Sequence, residues 1–244
     1  MSKSKLIPSN WELPQEFIDR LGDRAGRQRV MFANGHLLFV LHAPPKPDQM
    51  TRAARLFWRK PDGDWQSTEQ GNGLVAFRSH LDQLMNVIDE CDQREDAAQT
   101  AAEYFSILDA VSPLKRSAEN LLHTLEEARK LLPADRDIIN FRDQAYDLAR
   151  TAELLYSAAK NGMEMAQTRR AEEQAASSMA MAKAAHRLNQ FVAFFFPLAT
   201  LTSVFGMQLS SGLDFLPHPL PFAIICGVGI LSGFIMLAIV GRRR

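Results

Sequence analysis

Seven acidic side chains lie between residues 82 and 103, where the apolar pattern predicts a helix. They are Asp82, Asp89, Glu90, Asp92, Glu95, Asp96 and Glu103. Carboxylate oxygens are the ligands that hard divalent cations prefer, so these residues could bind a metal, with Asp89, Asp92 and Asp96 as the candidate regulatory ligands. A solvated helix face explains the same composition, and both interpretations stay open.

Two histidines, His36 and His42, flank a short apolar segment that ends before two prolines. The pattern predicts one strand over residues 36–42 and a second over residues 56–59, followed by a turn at residues 61–64. The two histidines could bind a metal, but histidines at strand ends with no metal are the preferred explanation. We therefore expect a small sheet in the N-terminal part of the chain.

Helices are expected from about Gly73 onward. Ser112 and Pro113 predict a boundary, because proline disfavours a helix that continues through it. Residues 114–132 then predict an amphipathic helix that ends at Pro133.

A seven-residue repeat follows, with alternating large and small side chains. Its two series are Phe141, Leu148, Leu155 and Gly162, and Ala145, Ala152, Ala159 and Ala166. This spacing is typical of coiled coils, although an amphipathic helix packed in a core has the same pattern. Since no proline lies between Asp135 and Pro197, we expect one helix from about residue 137 into the following apolar segment, roughly 105 Å long. Such a helix needs partners along its length.

Residues 188–241 contain one acid, Asp214, and no lysine or arginine. A helix that crosses a membrane needs about 20 mostly apolar residues, and residues 188–207 and 221–240 both satisfy this. The composition excludes a soluble single-domain protein. Lys183 and Arg187 precede the first stretch and three arginines follow the second, so both termini are expected in the cytoplasm.

The two apolar stretches carry different small and polar residues. Gly229 and Gly233 form a GxxxG pair in the second, which permits close helix packing. The first contains five polar side chains, Asn189, Gln190, Thr200, Thr202 and Ser203. Polar groups in hydrocarbon need partners, and either a water-filled pathway or hydrogen bonds between helices would supply them.

The sequence FFFPLATLTSVFGMQL, residues 194–209, resembles the end of the first membrane helix of CorA-type metal-ion transporters. That family has a proline nine residues before a Gly-Met-Asn signature. Pro197 and Gly206 have this spacing, and the signature here reads Gly206-Met207-Gln208.

Three further features resemble the same family over residues 113–244. Residues 140–155 are similar to the start of its long stalk helix, and the C-terminal hairpin and the basic tail also match. The resemblance implies a mainly α-helical membrane protein with a small cytoplasmic α/β domain, residues 1–112. A helical hairpin and stalk, residues 113–187, and a two-helix pore domain, residues 188–244, with an external loop at 208–220, would complete it.

The resemblance also implies a funnel-shaped homopentamer in the inner or plasma membrane, with lipid around it. Five stalk helices would continue into the first membrane helices and line a central pore for hydrated Mg²⁺, Co²⁺, Ni²⁺ or Zn²⁺. Gly206, Met207 and Gln208 would form the pore mouth, beside Asp214 in the external loop. The pore-lining positions by this resemblance are Leu188, Val192, Phe196, Ala199 and Ser203.

Gln208 departs from the family, which has asparagine there, and the external loop is poor in acids. A non-conducting or regulatory membrane scaffold is therefore the alternative to a passive divalent-cation channel. No phosphate-binding loop or nucleophile motif is present, so no enzyme is expected, and no cofactor beyond the divalent cation as substrate and possible regulator. With 28 basic and 28 acidic residues, the chain has no net positive charge that would favour nucleic acid.

Overall fold

The chain is mainly helical, with one small sheet. The computed structural model describes residues 5–45, 53–69, 71–206 and 220–242. The helices are α1 (Gln15–Arg20), α2 (Gly73–Ala97), α3 (Ala101–Leu131), α4 (Arg136–Gly206) and α5 (Leu220–Arg242); the strands are β1 (Arg29–Ala33), β2 (His36–His42), β3 (Ala54–Arg59) and β4 (Trp65–Ser67). The chain divides into two compact units, a first unit at residues 1–168 and a second at residues 169–244. The predicted three-part division at residues 112 and 187 stays a prediction.

The four strands form an antiparallel sheet in the order β1-β2-β3-β4. The strand predicted over residues 36–42 is confirmed, and the one over residues 56–59 is confirmed with two more residues at its start. The expectation of only two strands was wrong, because β1 and β4 extend the sheet. β1 and β2 are joined by Asn34 and Gly35, which both have positive φ, as a tight two-residue hairpin turn requires.

Both faces of β2 are buried, which explains its unbroken apolar run. Phe39 and its neighbours on one face pack in a core with α2, α3 and α4. Leu38 and Val40 on the other face pack with the N-terminal segment through residues that include Trp11 and Phe17. Strands buried on both sides read as continuous apolar sequence rather than as an alternation.

The boundary between α2 and α3 lies at residues 98–100, so the boundary predicted at Ser112 and Pro113 was wrong. Pro113 lies inside α3. Thr100 accepts a hydrogen bond from the Glu103 backbone N–H at 3.3 Å, and the Glu103 carboxylate accepts one from the Thr100 N–H at 2.9 Å. This reciprocal capping box satisfies backbone donors that a new helix leaves open, and it fixes the start of α3.

The long helix predicted from about residue 137 is confirmed as α4, which begins at Arg136. The Asp135 carboxylate accepts hydrogen bonds from the backbone N–H groups of Asp137 and Ile138 at 3.0 and 3.1 Å. Its other oxygen lies 2.5 Å from Nη2 of Arg59, at the end of β3. Asp135 therefore both caps α4 and ties its start to the sheet.

The predicted repeat of large and small residues is buried within the first unit from Phe141 to Ala159. It packs in the same core as side chains of α2 and α3, so over these residues the interpretation as a packed amphipathic helix is confirmed. Gly162 continues the repeat against Tyr104, whose ring atoms would lie 2.4–2.9 Å from a Cβ at that position. Only glycine fits there without a shift.

Candidate functional site

In the second unit, α4 and α5 pack closely at two glycines. A Cβ at Gly229 would lie 2.7 Å from Cδ1 of Leu198, and one at Gly233 would lie 2.6 Å from the backbone oxygen of Phe194. The rings of Phe194 and Phe234 also meet edge-on, with centroids 5.3 Å apart. The predicted GxxxG contact is thus a contact between α4 and α5 of one chain.

The threonines of this part of α4 bond to their own helix. Thr200 donates to the carbonyl oxygen of Phe196 at 2.8 Å, and Thr202 donates to that of Leu198 at 2.9 Å. On α5, Ser232 donates to the carbonyl oxygen of Gly229 at 2.9 Å. A hydroxyl that bonds back one turn satisfies its donor locally, so these three hydroxyls require neither a water-filled pathway nor a partner on another helix.

The five predicted pore-lining side chains are all exposed in the single chain. We call them the free face of α4: Leu188, Val192, Phe196, Ala199 and Ser203. The residues that meet α5, Phe194 and Leu198, are partly covered. At about 100° per residue, the free face centres on the side of α4 that points away from these α5 contacts.

The predicted pore mouth is described only in part. Gly206 lies in α4, as the last residue that the structure describes before residue 220. Met207, Gln208 and Asp214 lie outside the described residues. Their predicted roles stay predictions.

The acids of α2 lie mainly on its solvent side. Asp89, Asp92 and Asp96 are exposed, and partial burial together with Asp96 and Asp92 raises the pKa of Glu95. Glu103 caps α3, and its bonds from the backbone N–H groups of Gln99 and Thr100 lower its pKa. Metal regulation at Asp89, Asp92 and Asp96 stays a prediction.

The two histidines of β2 do not come together. They lie at opposite ends of the strand, about 20 Å apart at 3.3 Å per residue. His36 accepts a hydrogen bond from Nε1 of Trp58 at 3.1 Å, and Nε2 of His42 lies 2.8 Å from the carbonyl oxygen of Gly26. Within the described ranges, no group of three or more histidine, cysteine or acidic side chains is arranged to hold a metal ion. His36 and His42 are therefore strand-end histidines, and the prediction that they could bind one metal ion together was wrong.

The two cysteines are both free, Cys91 buried in the first unit and Cys226 half-buried on α5. Burial raises the pKa of the Cys91 thiol, which keeps it protonated and unreactive.

Among the residues that the structure describes, no helix combines the length and the apolar character needed to cross a membrane.

Comparison with known proteins gives a fold but no family. No protein-family model matches the chain, and neither does any curated protein. The solved structure of the full-length CmaX protein is similar over 95% of this chain and 83% of its own, with 12% sequence identity and a TM-score of 0.56. The CorA magnesium transporter from Methanocaldococcus jannaschii matches over 91% of this chain and 81% of its own, with 15% identity and a TM-score of 0.39. The chain therefore shares its overall fold with CmaX.

Proposed function

We propose that the chain forms a homopentameric membrane channel for hydrated divalent cations, with Mg²⁺ as the first candidate and Co²⁺, Ni²⁺ and Zn²⁺ as the others. The observation that carries this proposal is the free face of α4. Its five residues were assigned to a pore by resemblance, and they lie on the side of α4 that α5 of the same chain leaves uncovered. A helix that lines a central pore needs such a face.

Apolar exposure in the second unit supports a place in a membrane. Leu188 and Phe196 on α4 are 63% and 64% exposed, and Leu231 on α5 is 62% exposed. Large contiguous apolar surfaces are rare on soluble monomers and mark membrane or protein contacts. Since residues 188–241 also carry no lysine or arginine, we propose that α5 and the end of α4 cross the bilayer as a hairpin with both termini in the cytoplasm.

The proposed path selects ions by hydration rather than by direct coordination. Mg²⁺ gives up its water reluctantly, so a ring of Gln208 amides at the mouth would hold the hydrated ion through its water shell. Below it, Ser203 offers the one hydroxyl of the free face. Rings of Phe196 and Leu188 would then form apolar constrictions that open and close by wetting.

The same face also supports a second candidate function. Four of its five residues are apolar, and Gln208 replaces the asparagine of the CorA signature. A pore lined in this way could stay dry, and the assembly would then act as a non-conducting membrane scaffold.

Metal uptake into liposomes separates the two functions. Full-length protein would be reconstituted and tested with Mg²⁺, Co²⁺, Ni²⁺ and Zn²⁺ in turn, beside Gln208→Ala and Gly206→Ala. Gln93→Ala is the matched control, because Gln93 is exposed on α2 of the first unit. The size of the reconstituted oligomer would be measured on the same samples.

For a channel we expect uptake of at least one metal, lost in Gln208→Ala and Gly206→Ala and kept in Gln93→Ala. Uptake that survives both substitutions would contradict the proposed mouth. An intact pentamer that passes no metal would support the scaffold function instead of the channel. A protein that is monomeric in the membrane would contradict both proposed functions.

A further inference from the structure

Four residues of α4 form a ridge whose side chains change from cationic to aromatic halfway along it. Lys183, Arg187, Phe191 and Phe195 follow one another at four-residue spacing, which places them in one row on a helix surface. All four are exposed, with Phe191 at 63% and Phe195 at 54%. This row, which we call the flank ridge, has two cationic side chains followed by two exposed aromatic rings.

The two cations of the flank ridge have no acidic partner in the part of the chain that the structure describes. No ion pair joins Lys183 or Arg187 to a described carboxylate, whereas Arg169, further back on α4, lies 4.0 Å from Glu173. Glu173 is the nearest acid before Lys183 along α4, ten residues and about 15 Å away. From residue 174 to residue 241 the sequence holds one acid, Asp214.

The backbone of α5 ends at the level of the cationic half of the flank ridge. α5 runs antiparallel to α4, since Gly229 meets Leu198 and Gly233 meets Phe194. Eight further residues along both helices bring residue 241 level with residue 186, and residue 242 of the sequence is an arginine. The sequence continues with two more arginines.

The cationic half of the flank ridge is separate from the free face, whereas Phe195 lies near the edge of that face. Arg187 and Phe191 lie near the side of α4 that carries Leu198, whereas Val192 and Phe196 point away from it. At about 100° per residue, Phe191 lies about a quarter of the helix circumference from the centre of the free face. Charges on the flank ridge therefore face the surroundings of a pore and do not line it, so they place no positive ring in the path of a cation.

We propose that the flank ridge is a binding site for an anionic phospholipid of the cytoplasmic leaflet. The lipid phosphate would bind between Lys183 and Arg187, and an acyl chain would lie along Phe191 and Phe195. A polar head and an apolar chain in one ligand match a row that changes from cationic to aromatic in one turn. This proposal rests on the membrane placement proposed above.

Lipid binding to the full-length protein tests this site. Delipidated protein in neutral detergent would be titrated with phosphatidylglycerol and with phosphatidylcholine, and bound lipid would be counted by native mass spectrometry. The variants are Lys183→Gln with Arg187→Gln, and the charge-keeping exchange Lys183→Arg with Arg187→Lys. Arg169→Gln with Arg170→Gln is the matched control, since it removes two exposed charges from the same helix.

We expect phosphatidylglycerol to bind more tightly than phosphatidylcholine. The double glutamine variant should weaken its binding about tenfold, while the charge-keeping and control variants retain it. Equal binding of the two lipids would overturn the proposal, and so would a double glutamine variant that keeps the preference or a control that loses it. Inorganic phosphate should not displace the lipid; full displacement would show that a phosphate group alone is the ligand.

Alkaline extraction of membranes that contain the protein distinguishes the two proposals. A chain released into the soluble fraction would refute the membrane placement and with it the proposed channel. A chain that stays in the membrane but shows no preference for phosphatidylglycerol would refute the flank ridge alone. The glutamine substitutions could alter assembly, so the size-exclusion elution volume of each variant is compared with that of the original protein. The charge-keeping variant tests lipid binding with both positive charges still present.

Discussion

Helix α4 passes through two regions in which side chains of the same kind have different surroundings. In the first unit, Phe141 and Leu148 are buried in a core shared with α2 and α3 of the same chain. In the second unit, Leu188 and Phe196 are about two-thirds exposed. In the proposed channel, lipid and further copies of the chain would cover this apolar face.

The ion pairs of the two regions differ in the same way. In the first unit, Arg59 pairs with Asp135, and Lys115 pairs with Glu153 while its ammonium lies 4.9 Å from the centre of the Tyr156 ring. In the second unit, Lys183 and Arg187 make no ion pair with a described residue. The ion pairs of the first unit join different elements of the fold, whereas the one described in the second unit, Arg169 with Glu173, lies within α4.

The largest expected effect comes from removing a ring from the core of the first unit. Phe141 stacks on Phe77 with centroids 4.3 Å apart and meets the edge of Trp65 at 5.8 Å. Phe141→Ala should lower the free energy of unfolding by about 3–5 kcal/mol, through lost burial and the cavity left behind. All three tryptophans lie in the first unit, so urea unfolding followed by their fluorescence measures this region alone.

Tyr146→Ala is the control for this change, because Tyr146 is on the same helix but is 55% exposed. Its effect should stay within about 0.5 kcal/mol. Equal losses in the two variants would show that the core is not packed as described, and the contrast between the two regions would fail.

The second prediction concerns the helix contact of the second unit. Gly233→Ala places a methyl group against the backbone oxygen of Phe194, and overpacking of this kind costs about 1–3 kcal/mol. Gly227→Ala, on the same helix, meets nothing within 4 Å and should be neutral. Heating in detergent followed by size-exclusion chromatography would measure the loss of intact protein. A Gly233→Ala variant as heat-resistant as Gly227→Ala would refute the contact.

The third prediction uses a buried histidine of the first unit. His80 is 1% exposed, and its Nδ1 lies 3.0 Å from Nη1 of Arg55. Burial, with the nearby Arg55 charge, lowers the pKa of His80 to about 3. In the unfolded chain the imidazole takes up its proton near its ordinary pKa of about 6.5, so the unfolded state binds more protons over the interval between these values. Stability from this group is therefore complete above pH 6.5 and falls as the pH drops.

A single such group changes the free energy of unfolding by up to about 1.4 kcal/mol per pH unit, or about 1.6 kcal/mol between pH 6.5 and 5. Urea unfolding by tryptophan fluorescence at several pH values would measure the slope, and His80→Gln should remove it. His123→Gln, at an exposed position of α3, should keep it. An unchanged slope in His80→Gln would contradict a neutral buried imidazole.

The sequence predicted the elements whose apolar pattern is local and continuous. The apolar run of residues 36–42 predicts β2. The absence of proline between Asp135 and Pro197 predicts a single long helix, α4. β1 was missed although Asn34 and Gly35 form a strong hairpin signal. The five-residue segment of β1 is too short and too mixed in polarity to predict a strand by itself, without the turn that follows it.

The candidate site could be predicted only as far as one chain determines it. Helical spacing places Leu188, Val192 and Phe196 on one side of α4, and the resemblance selected that side as the face of a pore. The sequence pattern does not identify what contacts this face. The same apolar spacing is expected for a face that contacts lipid, a neighbouring helix or a dry pore. The spacing does not separate conduction from scaffolding, so flux measurements must distinguish the two.

The smallest expected effect is at the start of α3, which lies twelve residues before Pro113. Proline at position 113 suggested a boundary, but the Thr100–Glu103 capping box supplies the signal that starts α3. Thr100→Ala removes the acceptor for the Glu103 N–H and should cost about 1 kcal/mol. Thr168, which bonds back to the Glu164 carbonyl in the middle of α4, is the matched control and should lose almost nothing when replaced by alanine. Urea unfolding would resolve this difference, and an equal cost for both threonines would mean that α3 does not depend on the cap at Thr100.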